Sequence, residues 1–139
     1  MLIIIMYLRR DVIEFILKSS DKFQPTIEKI LSLKEKLFTS AISIIVLELE
    51  KKKLEKDYKQ LSKKIEILPI DKKLLEDSFK IKNKYNISIF DSIEIASCMR
   101  IKDKFLTFDI KSFENIKEVK IVNPSELFSE EKKDVRSIF

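Results

Sequence analysis

The run Leu2-Ile3-Ile4-Ile5-Met6-Tyr7-Leu8 ends abruptly at Arg9-Arg10-Asp11. An unbroken apolar run rich in Ile, with no alternation to polar side chains, is the signature of a strand covered on both faces. Strands of that kind belong to parallel sheets flanked by helices. A secretory leader or a membrane span explains the run less well. It is short, it lacks a basic lead-in and a small-residue cleavage site, and charge follows at once.

Beyond Asp11 the spacing becomes helical, with Val12, Phe15 and Ile16 on one face until Ser19-Ser20-Asp21 interrupts. A second helix is expected around Pro25, with Ile27, Ile30 and Leu31 inward. Leu37-Phe38-Thr39 reads as a short strand. Ser43 is an N-cap candidate for one long helix to about Lys64, apolar first and Lys-rich later. Residues 65–70 (IEILPI) alternate and stop at Pro69, as a strand does. Asp71 caps the next helix, with Leu74, Leu75, Phe79 and Ile81 inward, and Asp91 opens another over residues 91–101. Residues 105–108 (FLTF) form a strand ending at Asp109. Residues 118–122 (EVKIV) form the last, halted by Asn123-Pro124. Strands alternating with helices imply right-handed crossovers, hence an α/β fold with a mainly parallel sheet in three layers. One domain is expected over residues 1–124, followed by a charged tail, 125–139, with room for a short helix.

Composition narrows the chemistry. At 139 residues and 45% hydrophobic, the chain builds one real core. It contains no Gly, which excludes phosphate-cradling Gly-rich loops. It contains no His, which removes Ser-His and Cys-His nucleophile pairs and most zinc sites. The lone Cys98 forms no internal disulfide, suits a reducing cytoplasm and reads as a small core residue. The net charge of +5 attracts phosphates, although the Lys residues are spread among Glu along the chain.

In parallel sheets the functional crevice lies at the carboxyl ends of the strands. The polar groups expected there are Arg9 to Asp11, Asp91 and Asp109. Glu48 joins them from the apolar run Ile44-Ile45-Val46-Leu47, where a carboxylate is costly without a partner. Each has a plainer explanation. Glu48 can face solvent beside Glu50. Asp91-Ser92-Ile93-Glu94 is an acidic variant of the capping box. Asp109 suits a turn, and Asp11 can cap the first helix. Together they converge on one sheet edge, where like charges repel and a divalent cation relieves the repulsion. Oxygen-only ligands favour Mg²⁺ or Mn²⁺, which can activate water against a phosphodiester.

These residues carry a family resemblance. Ile87-Ser88-Ile89-Phe90-Asp91-Ser92-Ile93-Glu94-Ile95-Ala96, then Phe105-Leu106-Thr107-Phe108-Asp109 and Val119 to Pro124, resemble the C-terminal half of PIN-domain proteins, including VapC-like toxins. Thr39-Ser40-Ala41-Ile42-Ser43 leading to Leu47-Glu48-Leu49 resembles their central segment. Tyr7-Leu8 with Val12-Ile13-Glu14-Phe15 resembles their opening. The resemblance implies a three-layer α/β/α fold and Mg²⁺- or Mn²⁺-dependent cleavage of RNA. It implies catalytic positions at Glu48, Asp91 and Asp109 with the Thr107 hydroxyl beside the last, and metal ligands at Asp11, Glu48, Asp91 and Asp109. It further implies pairing with a small antitoxin and, in many members, a homodimer.

One departure stands out. The family usually places an Asp at the end of the first strand, in an Asp-Thr-Asn-like triplet, and here Arg9-Arg10-Asp11 occupies it. A guanidinium cannot ligate a metal. Two readings follow. Either a small shift lets Asp11 supply the missing carboxylate, or the domain binds RNA or protein without cutting. The second reading puts Arg9 against Asp91 or Asp109.

Overall fold

The computed structural model describes residues 5–18, 36–50, 54–102 and 104–126. The helix expected around Pro25 and most of the tail lie outside these residues. The described elements are β1 (Ile5–Leu8), α1 (Arg10–Leu17), β2 (Lys36–Ser40), α2 (Ala41–Leu49), α3 (Glu55–Lys64) and β3 (Ile65–Leu68). They continue with α4 (Lys72–Tyr85), α5 (Ile89–Ile101), β4 (Lys104–Leu106), α6 (Ile110–Phe113) and β5 (Lys120–Val122). The five strands form one sheet in the order β3-β2-β1-β4-β5, and every neighbouring pair is parallel. The expected α/β architecture is therefore present.

Alternation along each strand builds two cores. Met6, Leu8, Leu37, Ile65, Leu106 and Val122 face one side, where Val12, Ile13, Ile16, Leu47 and Leu61 from α1, α2 and α3 cover them, joined by Leu54, the residue before α3. Tyr7, Phe38 and Phe105 face the other side, against Ile81, Ile95, Cys98 and Phe113. The Tyr7 and Phe105 rings stack with centroids 5.3 Å apart. β1 lies at the centre of the sheet, which is why its sequence is apolar on both faces.

Several boundaries differ from expectation, and two of them shape the α2 region. Ser40, not Ser43, caps α2, its hydroxyl accepting from the Ile42 N–H at 3.1 Å. β2 pairs with β3 as far as Ser40↔Leu68, so the strand releases the chain at Ser40 and Ser43 falls inside the helix. The expected long helix is two, α2 ending at Leu49 and α3 beginning at Glu55. Asp71 does cap α4, accepting from Leu74 N–H at 2.8 Å, and Arg100 grips the same carboxylate through two guanidinium nitrogens. That guanidinium holds the Asp71 carboxyl down at about 2.

Without Gly, the left-handed ends of α4 and α5 fall to Asn86 and Lys102, both at φ 54°. Asn tolerates this conformation and Lys does not. Lys102→Gly is expected to raise stability by about 1 kcal/mol, measured by urea denaturation.

Candidate functional site

From β1 the chain builds outward through β2 to β3, then returns to the other side of β1 to lay down β4 and β5. The crevice opened by such a reversal lies at the carboxyl ends of β1 and β4. Arg9 follows β1 directly, and its backbone N–H donates to the Leu106 carbonyl at 3.0 Å. Thr107 follows β4. The first turns of α5 face the same place.

Asp91 does not open its helix. Ser88 is the cap, its hydroxyl accepting from the Asp91 N–H at 3.1 Å, so the Asp91 carboxylate is free to reach across the crevice. There it meets two guanidiniums. Its Oδ1 accepts from Arg9 Nη2 at 2.9 Å, Arg9 Nε at 3.3 Å and Arg10 Nη1 at 2.7 Å. Burial raises the Asp91 pKa, but the charges and hydrogen bonds of Arg9 and Arg10 outweigh it and hold the carboxyl below its ordinary value.

Glu94 lies one turn further along α5 and is fully buried. Its Oε1 accepts from the Tyr7 hydroxyl at 2.9 Å, from the Ser43 hydroxyl and from the Arg10 backbone N–H at 3.2 Å. Its Oε2 accepts from Arg10 Nη1 at 2.7 Å, with Arg9 Nε at 4.0 Å. Burial pushes the Glu94 carboxyl up, against the opposing pull of Ser43 and both arginines. Burial and the Glu94 charge push Tyr7 well above its ordinary value, so the phenol remains a donor. Thr39 completes the chain of hydroxyls, donating to Ser43 at 2.9 Å. The Arg9 guanidinium also lies 4.9 Å from the centre of the Phe113 ring.

Asp11 ties the start of α1 to the end of β4. Its Oδ2 accepts from the Thr107 hydroxyl at 2.8 Å and the Phe108 N–H at 2.9 Å, and Arg9 Nη1 stands 3.6 Å away. Asp109 caps α6, taking the Ser112 N–H on one oxygen and the Ser112 hydroxyl, at 2.6 Å, on the other. Its own N–H donates to Thr107 at 3.1 Å. Asp11, Asp91, Thr107 and Asp109 thus gather at one sheet edge. Glu48 has no described contact with them. Its carboxylate accepts from the Leu54 N–H at 3.0 Å and lines a groove of about 510 Å³ with Ile44, Ile45, Leu49, Leu54 and Tyr58.

As arranged, these residues do not fit a divalent cation. Three N–H donors occupy Asp91 Oδ1, Glu94 is saturated by protein donors, and Asp109 spends both oxygens on Ser112. Among the described residues no group of three or more Asp, Glu, Cys or His could hold a metal ion. The sequence did not single out Tyr7, Ser43 and Glu94 as members of this cluster. The available signal was Glu94 itself, a carboxylate between Ile93 and Ile95 in a helix buried continuously from Ser92 to Cys98.

Because Asp91 titrates low when folded, its contribution is complete above the unfolded carboxylate range and is lost as pH falls through its folded value. Asp91→Asn is expected to destabilise by about 3 kcal/mol near neutrality, because it strips the shared partner from two part-buried cations. Urea denaturation across a pH series should show this difference shrinking below about pH 4.

Comparison with known proteins agrees with this architecture. The profile of the PIN-domain family matches residues 12–119. Among solved structures, a toxin–antitoxin complex from Klebsiella pneumoniae superposes with TM-score 0.69 at 17% identity, covering 86% of this chain and 97% of its own. VapBC-1 from nontypeable Haemophilus influenzae gives 0.70 at 15%, covering 88% and 99%. VapBC2 from Rickettsia felis, bound to a DNA fragment from its promoter, gives 0.67 at 16%, covering 86% and 98%. At these identities the likeness concerns the fold. A search of curated proteins finds no match. The family profile spans most of the chain, and on that ground this chain belongs to the PIN-domain family.

Proposed function

We propose that this chain is a PIN domain that binds RNA without metal-dependent cleavage, together with a small antitoxin-type protein. The observation that carries this reading is the pair of guanidiniums on Asp91 and Glu94. A divalent cation in a nuclease cleft neutralises converging carboxylates and polarises water and phosphate. Arg9 and Arg10 do the first task from within the chain; they can hydrogen-bond phosphate oxygens, but they cannot coordinate water as a Lewis acid and make it a nucleophile. The +5 net charge supports RNA as the ligand. Similarity to a toxin–antitoxin complex supports the protein partner. The buried, unbridged Cys98 supports a reducing, cytoplasmic setting. Among the described residues no helix is long and apolar enough to cross a membrane.

A second reading retains Mg²⁺- or Mn²⁺-dependent cleavage of RNA, with Asp11, Asp91 and Asp109 as ligands. The convergence of these three with Thr107 on one edge favours it. It requires both arginines to leave Asp91, which takes the counter-charge from buried Glu94 and leaves it the Tyr7, Ser43 and Arg10 backbone donors. The two readings separate in one experiment, with wild type, Asp91→Asn and an Arg9→Asp, Arg10→Thr double variant. Fluorescence anisotropy with single-stranded RNA is expected to show binding by the wild type. Gels with millimolar Mn²⁺ are expected to show intact RNA. Calorimetry is expected to show Mn²⁺ affinity rising about tenfold or more in the double variant, where a carboxylate replaces a cation. RNA cleavage by the wild type that disappears in Asp91→Asn would overturn the proposal in favour of the nuclease.

A further inference from the structure

At the carboxyl ends of the strands, Asp11, Asp91 and Glu94 each have a guanidinium nitrogen within 4.0 Å. At the opposite ends the balance is reversed. A cavity of about 390 Å³ is lined by Met99, Lys102, Lys117, Glu118, Val119 and Lys120, next to the first residue of β5. Its one carboxylate is already engaged, since Glu118 accepts from the Tyr85 hydroxyl on one oxygen and from Lys84 at 3.3 Å on the other. Among the described residues, Lys102, Lys117 and Lys120 have no acidic partner.

Two ordinary explanations cover part of this cluster. Lys102 ends α5, where a cation complements the helix dipole, and Lys120 lies on an edge strand, where lysine discourages further pairing. Neither explains Lys117, which is on no helix or strand, nor the convergence of all three on one concavity. The backbones that carry them are fixed. Lys102 N–H donates to the Cys98 carbonyl at 3.0 Å, Lys117 N–H donates to the Tyr85 hydroxyl at 3.3 Å, and Lys120 is held in register with Lys104 of β4. Three ammonium groups lining one concavity, whose one carboxylate is engaged elsewhere, offer an anion a favourable field.

We infer that this cavity is a phosphate-binding site, distinct from the arginine-filled crevice, taking either the backbone of a single-stranded nucleic acid or a free oligophosphate. Three rotatable ammonium groups suit phosphate oxygens without reading a base, so the site would add affinity and little sequence preference. It does not depend on whether the crevice at the other end cleaves RNA.

The test compares wild type, a Lys102→Asn, Lys117→Gln, Lys120→Gln triple variant, and a control in which Lys59, Lys63 and Lys73 become Gln. Asn keeps the left-handed helix end accessible. The control removes the same charge elsewhere. Anisotropy with a short single-stranded RNA is expected to show about tenfold weaker binding for the site variant. The slope of log affinity against log salt should fall in size by about 2, as for three lost phosphate contacts on a single strand. The control should change little. Calorimetry with inorganic pyrophosphate forms the other arm. Pyrophosphate binding lost in the site variant, with RNA binding unchanged, supports the site and identifies a free oligophosphate as its ligand. Equal losses of RNA binding in both triple variants, with pyrophosphate unaffected, overturn the inference, as does a site variant that matches wild type toward both ligands. If Lys102→Asn alters thermal melting, the Lys117→Gln, Lys120→Gln pair is read instead.

Discussion

Burying the carboxylate of Glu94 is the constraint on which the carboxyl edge of the sheet depends. An isolated carboxylate in the core costs several kcal/mol, so every available donor is recruited. Tyr7 comes from β1, Ser43 from α2, and Arg10 from α1 with both its side chain and its backbone N–H. Three elements from the first third of the chain are therefore tied to a single side chain on α5. The stacked Tyr7 and Phe105 rings join β1 to β4 on the apolar side.

This explains why Arg9 and Arg10 act as a unit. Arg10 Nη1 bridges Asp91 and Glu94, and Arg9 approaches Asp91, Glu94 and Asp11 from the other side. The planar fork of a guanidinium matches carboxylates closely, and its charge does not titrate in the physiological range. A divalent cation exchanges with solvent. These arginines are covalently part of the chain, and moving them exposes a buried charge. The crevice keeps the shape of a PIN domain with a permanent counter-charge in it.

Much of the architecture is legible in local patterning. The apolar run of β1 reports burial on both faces, and Asp71 reports a helix start, because each signal depends on near neighbours in the chain. The errors fall where long-range pairing decides. Ser40 and Ser43 are equally good caps by composition, and the pairing of β2 with β3 selects Ser40. Asp91 has the composition of a helix opener, yet Ser88 takes the cap and releases the carboxylate toward Arg9 and Arg10. Glu48 has no described contact with the other candidates, and its carboxylate accepts instead from the Leu54 N–H, six positions on.

Residue order alone establishes the class of fold, the exclusion of Gly-loop and His-based chemistry, and the presence of Arg9 where a family carboxylate belongs. Those conclusions rest on residue identity and on periodicities of two and 3.6, which the chain carries locally. Which charges meet is set by the packing of distant segments. Arg10 and Glu94 are 84 positions apart and Asp11 and Thr107 are 96 apart, and nothing local encodes either pairing. Their meeting follows from β4 being laid down beside β1, which brings the turns after both strands against the first turns of α5. Whether a carboxylate at that edge faces a metal or a guanidinium depends on this juxtaposition, because electrostatic energy is set by distance and burial rather than by order along the chain.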